Sequence, residues 1–361
     1  MTMNRISLAA LALVLSLANA GAAEKSAPPP PDINQSVSLP GDVAVQRDLV
    51  YATIEGFRPL TLDLYQPTSK TKAQPRPVLL YVHGGGWVSG DARHLKGFDD
   101  LPATLAALAA KGIVVAAVNY RLAGEAHFPA AVQDVKSALR WLRGRATDFN
   151  IDTTRMMAWG VEAGGQIAAM AGTSCGVATL EPAADANSKA QLGSDCVQGV
   201  IDWAGPADFA SWDADAGRNA EAAAATHLGA YLGCELADCA PGVVRGASPL
   251  TYVGAQTPPF FIQQGSADTY VAPAQSHKLY DALRAQRVPA DIRIYADAGQ
   301  DFAKDGTPDP ATRTQALADM QDFLEKTFPP PPETKADSPE KAAAKKFAAK
   351  PARTKAARAR K

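Results

Sequence analysis

Beyond its first twenty residues, the 361-residue sequence lacks any apolar run long enough to cross a membrane. Within those twenty residues, the apolar run 6–16 is also too short to span a membrane; it follows Arg5 and precedes the small-residue segment Ala18-Asn19-Ala20. This order of features predicts a secretory signal peptide over residues 1–20. An uncleaved anchor is the alternative, which the shortness of the run disfavours. We therefore expect a secreted or periplasmic protein that is not transmembrane.

Cysteine is scarce, with four residues in the whole chain. Four cysteines allow three pairings, and their spacing favours the disulfides Cys175–Cys196 and Cys234–Cys239, in keeping with an oxidising compartment. A metal site is the alternative. It is disfavoured because the Cys234–Cys239 spacing has no second pair nearby and only His227 lies close in sequence. We expect no metal and no cofactor.

Neither flank has the composition of a folded domain. Residues 21–42 are rich in proline, alanine and serine and predict a linker. Residues 329–361 open with a proline run, and residues 333–361 carry ten Lys/Arg against three Asp/Glu, which predicts a disordered basic tail. The tail either keeps the protein solvated or contacts an anionic surface or polymer, and we expect no specific nucleic acid recognition.

Residues 43–328 alternate strand and helix patterns and predict one folded domain. A hairpin is expected at 49–54 and 60–65. Further strands are expected at 78–82, 113–120, 155–160, 197–205, 260–265 and 291–296, and helices at 101–111, 129–144, 163–171, 273–286 and 309–327. Pro129 suits a first helical position. This alternation predicts an α/β fold with a mostly parallel central sheet and helices on both faces.

A glycine run, His83-Gly84-Gly85-Gly86-Trp87, directly follows the predicted strand at 78–82. Glycines at the end of a parallel strand allow a sharp bend in which backbone N–H groups point into a cavity, an arrangement that stabilises an oxyanion. A plain glycine turn is the alternative, and the position after a buried strand favours the oxyanion interpretation.

This run resembles the HGGG motif of esterases and lipases with the α/β-hydrolase fold. The resemblance extends over residues 48–325. This part of the sequence is similar to bacterial feruloyl-esterase-like and hormone-sensitive-lipase-like carboxylesterases. The resemblance rests on the segments Asn119-Tyr120-Arg121-Leu122, Phe128-Pro129-Ala130-Ala131, Asp134-Val135, Trp203-Ala204-Gly205-Pro206-Ala207-Asp208-Phe209, Ala247-Ser248-Pro249-Leu250 and Gly265-Ser266-Ala267-Asp268. It implies an oxyanion hole from the N–H groups of Gly85, Gly86 and Ala163, and a role for Asp134 in supporting the HGGG loop.

The resemblance also implies a Ser–His–Asp triad, of which only the acid, Asp268, is present. The expected G-x-S-x-G elbow reads Gly160-Val161-Glu162-Ala163-Gly164, with Glu162 at the nucleophile position. Gln300 occupies the position of the general base. A serine triad needs a hydroxyl and a base that accepts its proton, and neither a carboxylate nor an amide supplies these functions.

Two other features have competing interpretations. The segment Gly172-Thr173-Ser174-Cys175-Gly176 matches G-x-S-x-G literally, but it follows a predicted helix, where Gly172 suits a helix end. The aromatic residues Trp87, Phe128, Trp203 and Trp212 line an acyl pocket or, more commonly for such residues, pack in the core.

Glu162 lies at a predicted helix N-terminus, where negative charge is favoured. We hypothesise that its carboxylate fills the oxyanion hole and that Gln300 bridges Glu162 and Asp268; the alternative is a decayed site in which Glu162 faces water. The sequence thus predicts a catalytically inactive pseudo-hydrolase that binds a small ester-like molecule or a partner. The alternative function is an active carboxylic-ester hydrolase with an unconventional site.

Overall fold

The computed structural model describes residues 36–68, 74–96, 98–182, 193–216 and 222–329. The predicted signal peptide, the linker up to residue 35 and the basic tail from residue 330 lie outside the described residues.

Within the described ranges, nine strands form one central sheet, with strand order β1-β2-β3-β5-β4-β6-β7-β8-β9. The first three strands join the sheet in antiparallel pairings, and all pairings from β5 to β9 are parallel. The strands are β1 (Val37–Leu39), β2 (Val43–Ala52), β3 (Leu60–Pro67), β4 (Arg76–Val82), β5 (Val114–Val118), β6 (Ile151–Val161), β7 (Gly199–Trp203), β8 (Phe260–Gly265) and β9 (Ala290–Tyr295). Every residue of β5, β7 and β8 is buried, as expected for strands covered on both faces.

Helices cover both faces of the sheet. Two apolar cores result: α1 and α9 contribute to one, and α2, α4 and α8 contribute to the other. The helices are α1 (Leu101–Ala109), α2 (Ala130–Gly144), α3 (Ala146–Phe149), α4 (Ala163–Thr173), α5 (Trp212–Ala216), α6 (Ala222–Leu232), α7 (Pro241–Ala247), α8 (Pro273–Ala285) and α9 (Pro310–Thr327). The α/β class, the parallel sheet and the covering on both faces match the prediction.

Some local predictions differ from the structure. Residues 37–39, placed in the linker by composition, form β1, which pairs with β2 through its backbone and needs little apolar surface to do so. Pro129 is the cap residue before α2 rather than its first residue. Helix α4 ends at Thr173 rather than at residue 171, so Gly172 is its second-last residue, and a Cβ there would lie 2.3 Å from the Val200 side chain of β7.

Two disulfides join Cys175 to Cys196 and Cys234 to Cys239, the pairings that the spacing favoured. The first lies beside a buried cation, since Lys136 of α2 donates to the Ser174 carbonyl at 2.6 Å and to Asp195 at 2.5 Å. This contact fastens α2 to both segments that the disulfide joins. None of the helices in the described ranges has the length and apolar character needed to cross a membrane.

Lys136→Met should lower the free energy of unfolding by about 3 kcal/mol, because Asp195 would stay buried without its closest cation. Lys326→Met is the matched control, since its ion pair with Asp291 is exposed and should change stability by less than about 0.5 kcal/mol. Urea denaturation of both variants measures the difference. Equal losses in the two variants would show that the buried ion pair adds nothing beyond a surface pair.

Candidate functional site

The candidate site lies where several parallel strands end. The glycine loop follows β4, Glu162 follows β6, Asp268 follows β8 and the Gln300 turn follows β9. Ligand sites in open α/β sheets lie at this carboxyl edge. The fold therefore brings together the residues that the resemblance assigned to the site.

Glu162 occupies a sharp turn between β6 and α4. Its backbone has φ 55° and ψ −115°, an uncommon conformation for a residue with a side chain. The flanking glycines permit this turn because a Cβ at Gly160 would lie 1.9 Å from the Gly164 carbonyl oxygen, and one at Gly164 would lie 2.1 Å from the Val82 carbonyl oxygen. Residue 162 thus stands in the strand–turn–helix setting of a nucleophile elbow.

The Glu162 carboxylate is buried against the glycine loop. Its Oε2 accepts hydrogen bonds from the N–H of Gly85 at 2.7 Å and of Gly86 at 3.0 Å. This is the arrangement hypothesised from the sequence, in which the elbow side chain itself fills the oxyanion hole. An incoming carbonyl oxygen therefore finds these donors already in use.

Burial raises the pKa of Glu162 above its ordinary value. Hydrogen bonds from the N–H groups of Gly86, Gly85 and Ala163, and from the Tyr270 hydroxyl, act in the opposite direction by stabilising the anion. The oxyanion-hole donors therefore offset part of the cost of burying this carboxylate.

Asp268 is also buried and well supplied with donors. The N–H groups of Tyr270 and Val271 donate to its Oδ1 at 2.8 and 3.0 Å, and Gln264 Nε2 donates to its Oδ2 at 3.0 Å. Burial nevertheless raises the pKa of Asp268 to about 6.

The hypothesis that Gln300 bridges the two carboxylates is wrong. Among the described residues, the Gln300 side chain makes no hydrogen bond to Glu162 or Asp268, although all three line one cavity. Asp268 already accepts three hydrogen bonds, which reduces the gain from a further donor. Gln300 begins a 3₁₀ turn in which Asp301 and Phe302 both have φ 57°.

Asp301 is a site residue that the sequence analysis missed. Burial first, and then the negative charges of Glu162 and Asp268, raise the pKa of Asp301 to about 7. Three carboxyl groups therefore face one small space. The only sequence signal was its position next to Gln300.

A histidine–tyrosine pair that the sequence did not indicate lies over the oxyanion hole. His227 comes from α6 and Tyr270 from the loop after β8, and the His227 Nδ1 and Tyr270 hydroxyl lie 2.6 Å apart. A Cβ on Gly86 would lie 2.3 Å from His227 Nδ1 and 2.6 Å from the Tyr270 hydroxyl, which shows how closely the pair covers this glycine. His227 reaches the site through the insertion between β7 and β8, and no local sequence pattern indicates that contact.

The cavity beside Glu162 has a volume of about 10 Å³, room for about one water molecule. Of the four candidate pocket aromatics, Trp203 lines it, whereas Trp87 stacks on Tyr231 at 4.7 Å within the apolar core. Trp212 belongs to the same core, and Phe128 packs against it. In the observed conformation this space does not accommodate an ester.

Two further expectations have clear outcomes. Ser174 is fully buried and donates to the Met170 carbonyl, so the literal G-x-S-x-G match offers no accessible nucleophile. Asp134 accepts hydrogen bonds from the backbone and guanidinium of Arg121. It therefore supports the loop after β5 rather than the HGGG loop directly.

Asp301→Asn should stabilise the protein at alkaline pH. Because the pKa of Asp301 is raised in the fold to about 7, its contribution to stability is present at low pH and is lost as the pH rises through about 7. The variant should gain about 2 kcal/mol at pH 8, since one pKa unit corresponds to about 1.4 kcal/mol and partial exposure screens part of the effect. The gain should shrink towards zero at pH 4.

Urea denaturation across this pH range measures the effect, with Asp305→Asn as a control at an exposed carboxylate of the same loop. A gain that does not depend on pH, or one equal to that of the control, would contradict the clustering of charge around Asp301.

Comparison with known proteins agrees with this architecture. The chain is 33% identical to Esterase LipC of Mycobacterium tuberculosis over 216 residues, which cover 59% of this chain and 49% of that protein. It is 27% identical to Esterase LipQ of the same organism over 229 residues, which cover 63% of this chain and 51% of that protein. The chain thus spans about half the length of these curated relatives.

Solved structures show the same fold. A truncated carbohydrate esterase from gut microbiota superposes with a TM-score of 0.64 at 24% identity, covering 80% of this chain and 98% of that chain. The esterase Est2 of Thermogutta terrifontis superposes with a TM-score of 0.63 at 22% identity, covering 82% of this chain and 96% of that chain.

The BD-FAE family model matches residues 62–283, which is more than half of the chain and includes β4, β6 and β8 with the loops that carry Gly85, Glu162 and Asp268. The chain therefore belongs to the BD-FAE family and is an esterase/lipase-like α/β-hydrolase.

Proposed function

We propose that this protein is a pseudo-hydrolase, which retains the esterase scaffold and binds a ligand or partner without turning over an ester. The observation that carries the proposal is the pair of hydrogen bonds from Gly85 and Gly86 to Glu162 Oε2. The site residues keep the positions of a triad and an oxyanion hole but not their chemistry.

Three steps of serine-type hydrolysis lack a group that performs them. The elbow offers a carboxylate instead of a hydroxyl, and Gln300 cannot accept a proton at useful pH. The oxyanion that forms on the substrate carbonyl also needs free donors, and Glu162 holds those of Gly85 and Gly86. Each loss by itself would slow acyl transfer by orders of magnitude.

The purified protein should release no p-nitrophenol from p-nitrophenyl acetate above the rate of a heat-denatured sample, and a fluorophosphonate probe should label no serine.

Restoring the serine and the histidine of the triad is a second test of the proposal. Glu162→Ser combined with Gln300→His should raise the rate at least tenfold, because position 300 shares the cavity with Asp268 and with the elbow.

The single variants are the matched controls. Glu162→Ser alone frees the oxyanion hole but has no base at position 300, and Gln300→His alone leaves the hole filled, so neither should gain activity. A double variant without activity would mean that changes elsewhere in the scaffold also prevent catalysis.

Ester hydrolysis by an unconventional site is the second candidate function. The comparisons favour it, since the relatives are named esterases, and the His227–Tyr270 pair places an imidazole close to Gly86 of the glycine loop. In that case the wild-type protein should hydrolyse p-nitrophenyl acetate, and His227→Ala and Tyr270→Phe should each remove the activity. This result would contradict the pseudo-hydrolase proposal and support ester hydrolysis.

We also propose that the chain is exported and that its basic tail contacts an anionic surface or polymer. The apolar run before Ala18-Asn19-Ala20 and the excess of Lys/Arg in residues 333–361 support this. The N-terminal sequence of the protein recovered from cell fractions tests export, and binding to anionic vesicles with and without residues 330–361 tests the tail.

A further inference from the structure

A second cavity lies near the glycine loop. It has a volume of about 470 Å³, within the range of about 300–1,000 Å³ typical of small-molecule sites, whereas the cavity at Glu162 admits about one water. Its lining comes from the loops after β4 and β5 and from Arg58 in the turn before β3. None of the residues that line the Glu162 cavity lines this one.

His83 forms part of the wall of this cavity and is 1% exposed. Its Nδ1 lies 2.8 Å from the Gly84 carbonyl oxygen, which only accepts hydrogen bonds, so Nδ1 carries the proton. Burial lowers the pKa of His83 to about 4, which keeps the ring neutral at physiological pH. Nε2 is therefore a bare acceptor, and no residue in the described part of the chain donates to it.

The other polar groups of the wall have partners. Arg58 donates to both Glu125 oxygens, at 2.8 and 3.0 Å, and to the Tyr120 carbonyl. The Asn119 amide accepts from the Ala92 N–H and donates to Thr61. His83 Nε2 thus differs from the Asn119 amide oxygen and the Glu125 carboxylate, because no described residue donates a hydrogen bond to it.

The charged groups of the wall already have side-chain partners, which favours a neutral ligand over an ionic one. Arg58 is neutralised by Glu125, and the negative charge of Asp91 would repel an anion. Asp91 in turn accepts from the N–H groups of Arg93 and His94 and from the His94 ring, so it offers little to an ammonium ion. A neutral molecule with hydrogen-bond donors fits what remains.

We propose that this cavity binds a neutral, hydroxyl-bearing molecule of about monosaccharide size, with one ligand hydroxyl donating a hydrogen bond to His83 Nε2. The site is separate from the elbow, so it operates whether or not the protein hydrolyses esters. A neutral buried imidazole with one fixed N–H is a well-defined acceptor, because its ring is held by Gly84 and stacked on Tyr120 at 4.2 Å.

Two variants separate the cavity from general effects on folding. His83→Asn keeps a donor near the Nδ1 position for the Gly84 carbonyl but removes the Nε2 acceptor. Gly124→Trp fills the cavity from its rim, where a Cβ would meet nothing within 4 Å. Gly242→Trp is the matched control, because it adds the same bulk at an open position on α7, outside the cavity lining.

The probes are D-glucose and D-xylose, with ethylammonium and acetate as charged comparators, titrated into the full-length chain and followed by saturation-transfer NMR. Both sugars should bind and the ions should not. His83→Asn should weaken sugar binding about fivefold, the cost of one unmade hydrogen bond, and Gly124→Trp should abolish it. The Gly242→Trp protein should bind like wild type.

Nitrogen-15 spectra of histidine-labelled protein give a second measurement, in which sugar should shift the Nε2 resonance of His83 and leave its Nδ1 protonated. Absence of sugar binding, preference for either ion, or sugar binding that survives both cavity variants would each overturn the proposal. These outcomes do not depend on esterase activity and therefore leave the pseudo-hydrolase proposal to its own test.

Discussion

The contact between the Glu162 carboxylate and the N–H groups of Gly85 and Gly86 is the interaction on which the site depends. It joins the loop after β4 to the turn after β6, the two segments that would cooperate in acyl transfer. The same geometry that would stabilise a transient oxyanion here stabilises a permanent one. Glutamate at the elbow thus links two neighbouring strands of the sheet through this contact.

The electrostatics of the site follow from that permanent anion. Asp268 and Asp301 share the small cavity with Glu162, and burial and mutual repulsion keep their pKa values above the ordinary range for aspartate. An active triad would place an imidazole among these groups and relieve the repulsion when it became protonated. Here the compensation comes from backbone N–H groups and from the Tyr270 hydroxyl.

The sequence predicted those features that arise from local patterns. Continuous apolar runs identified β4 and β5, and the resemblance placed the elbow at Gly160–Gly164, where the structure shows that a side chain at either glycine would collide with backbone. The hypothesis for Glu162 also followed locally, from a carboxylate at a helix N-terminus opposite a glycine loop.

Features that depend on distant contacts could not be predicted in this way. His227 reaches Gly86 from an insertion more than a hundred residues later in the chain, and its helix α6 has no pattern that points to the oxyanion hole. The bridging role expected of Gln300 failed because neighbouring backbone and Gln264 had already supplied donors to Asp268. Gly172 was expected directly after a helix end from its residue type, whereas α4 continues to Thr173 and packs Gly172 against Val200.

The three-residue strand β1 has a consequence for behaviour at high concentration. It forms one border of the sheet, and Val37 within it is 52% exposed. Unpaired backbone groups at such a border can recruit strands from other molecules, and short border strands restrict this. Within the described residues, β1 pairs only with the Val43–Val45 end of the ten-residue β2, so strand addition by another molecule would start beside the later part of β2.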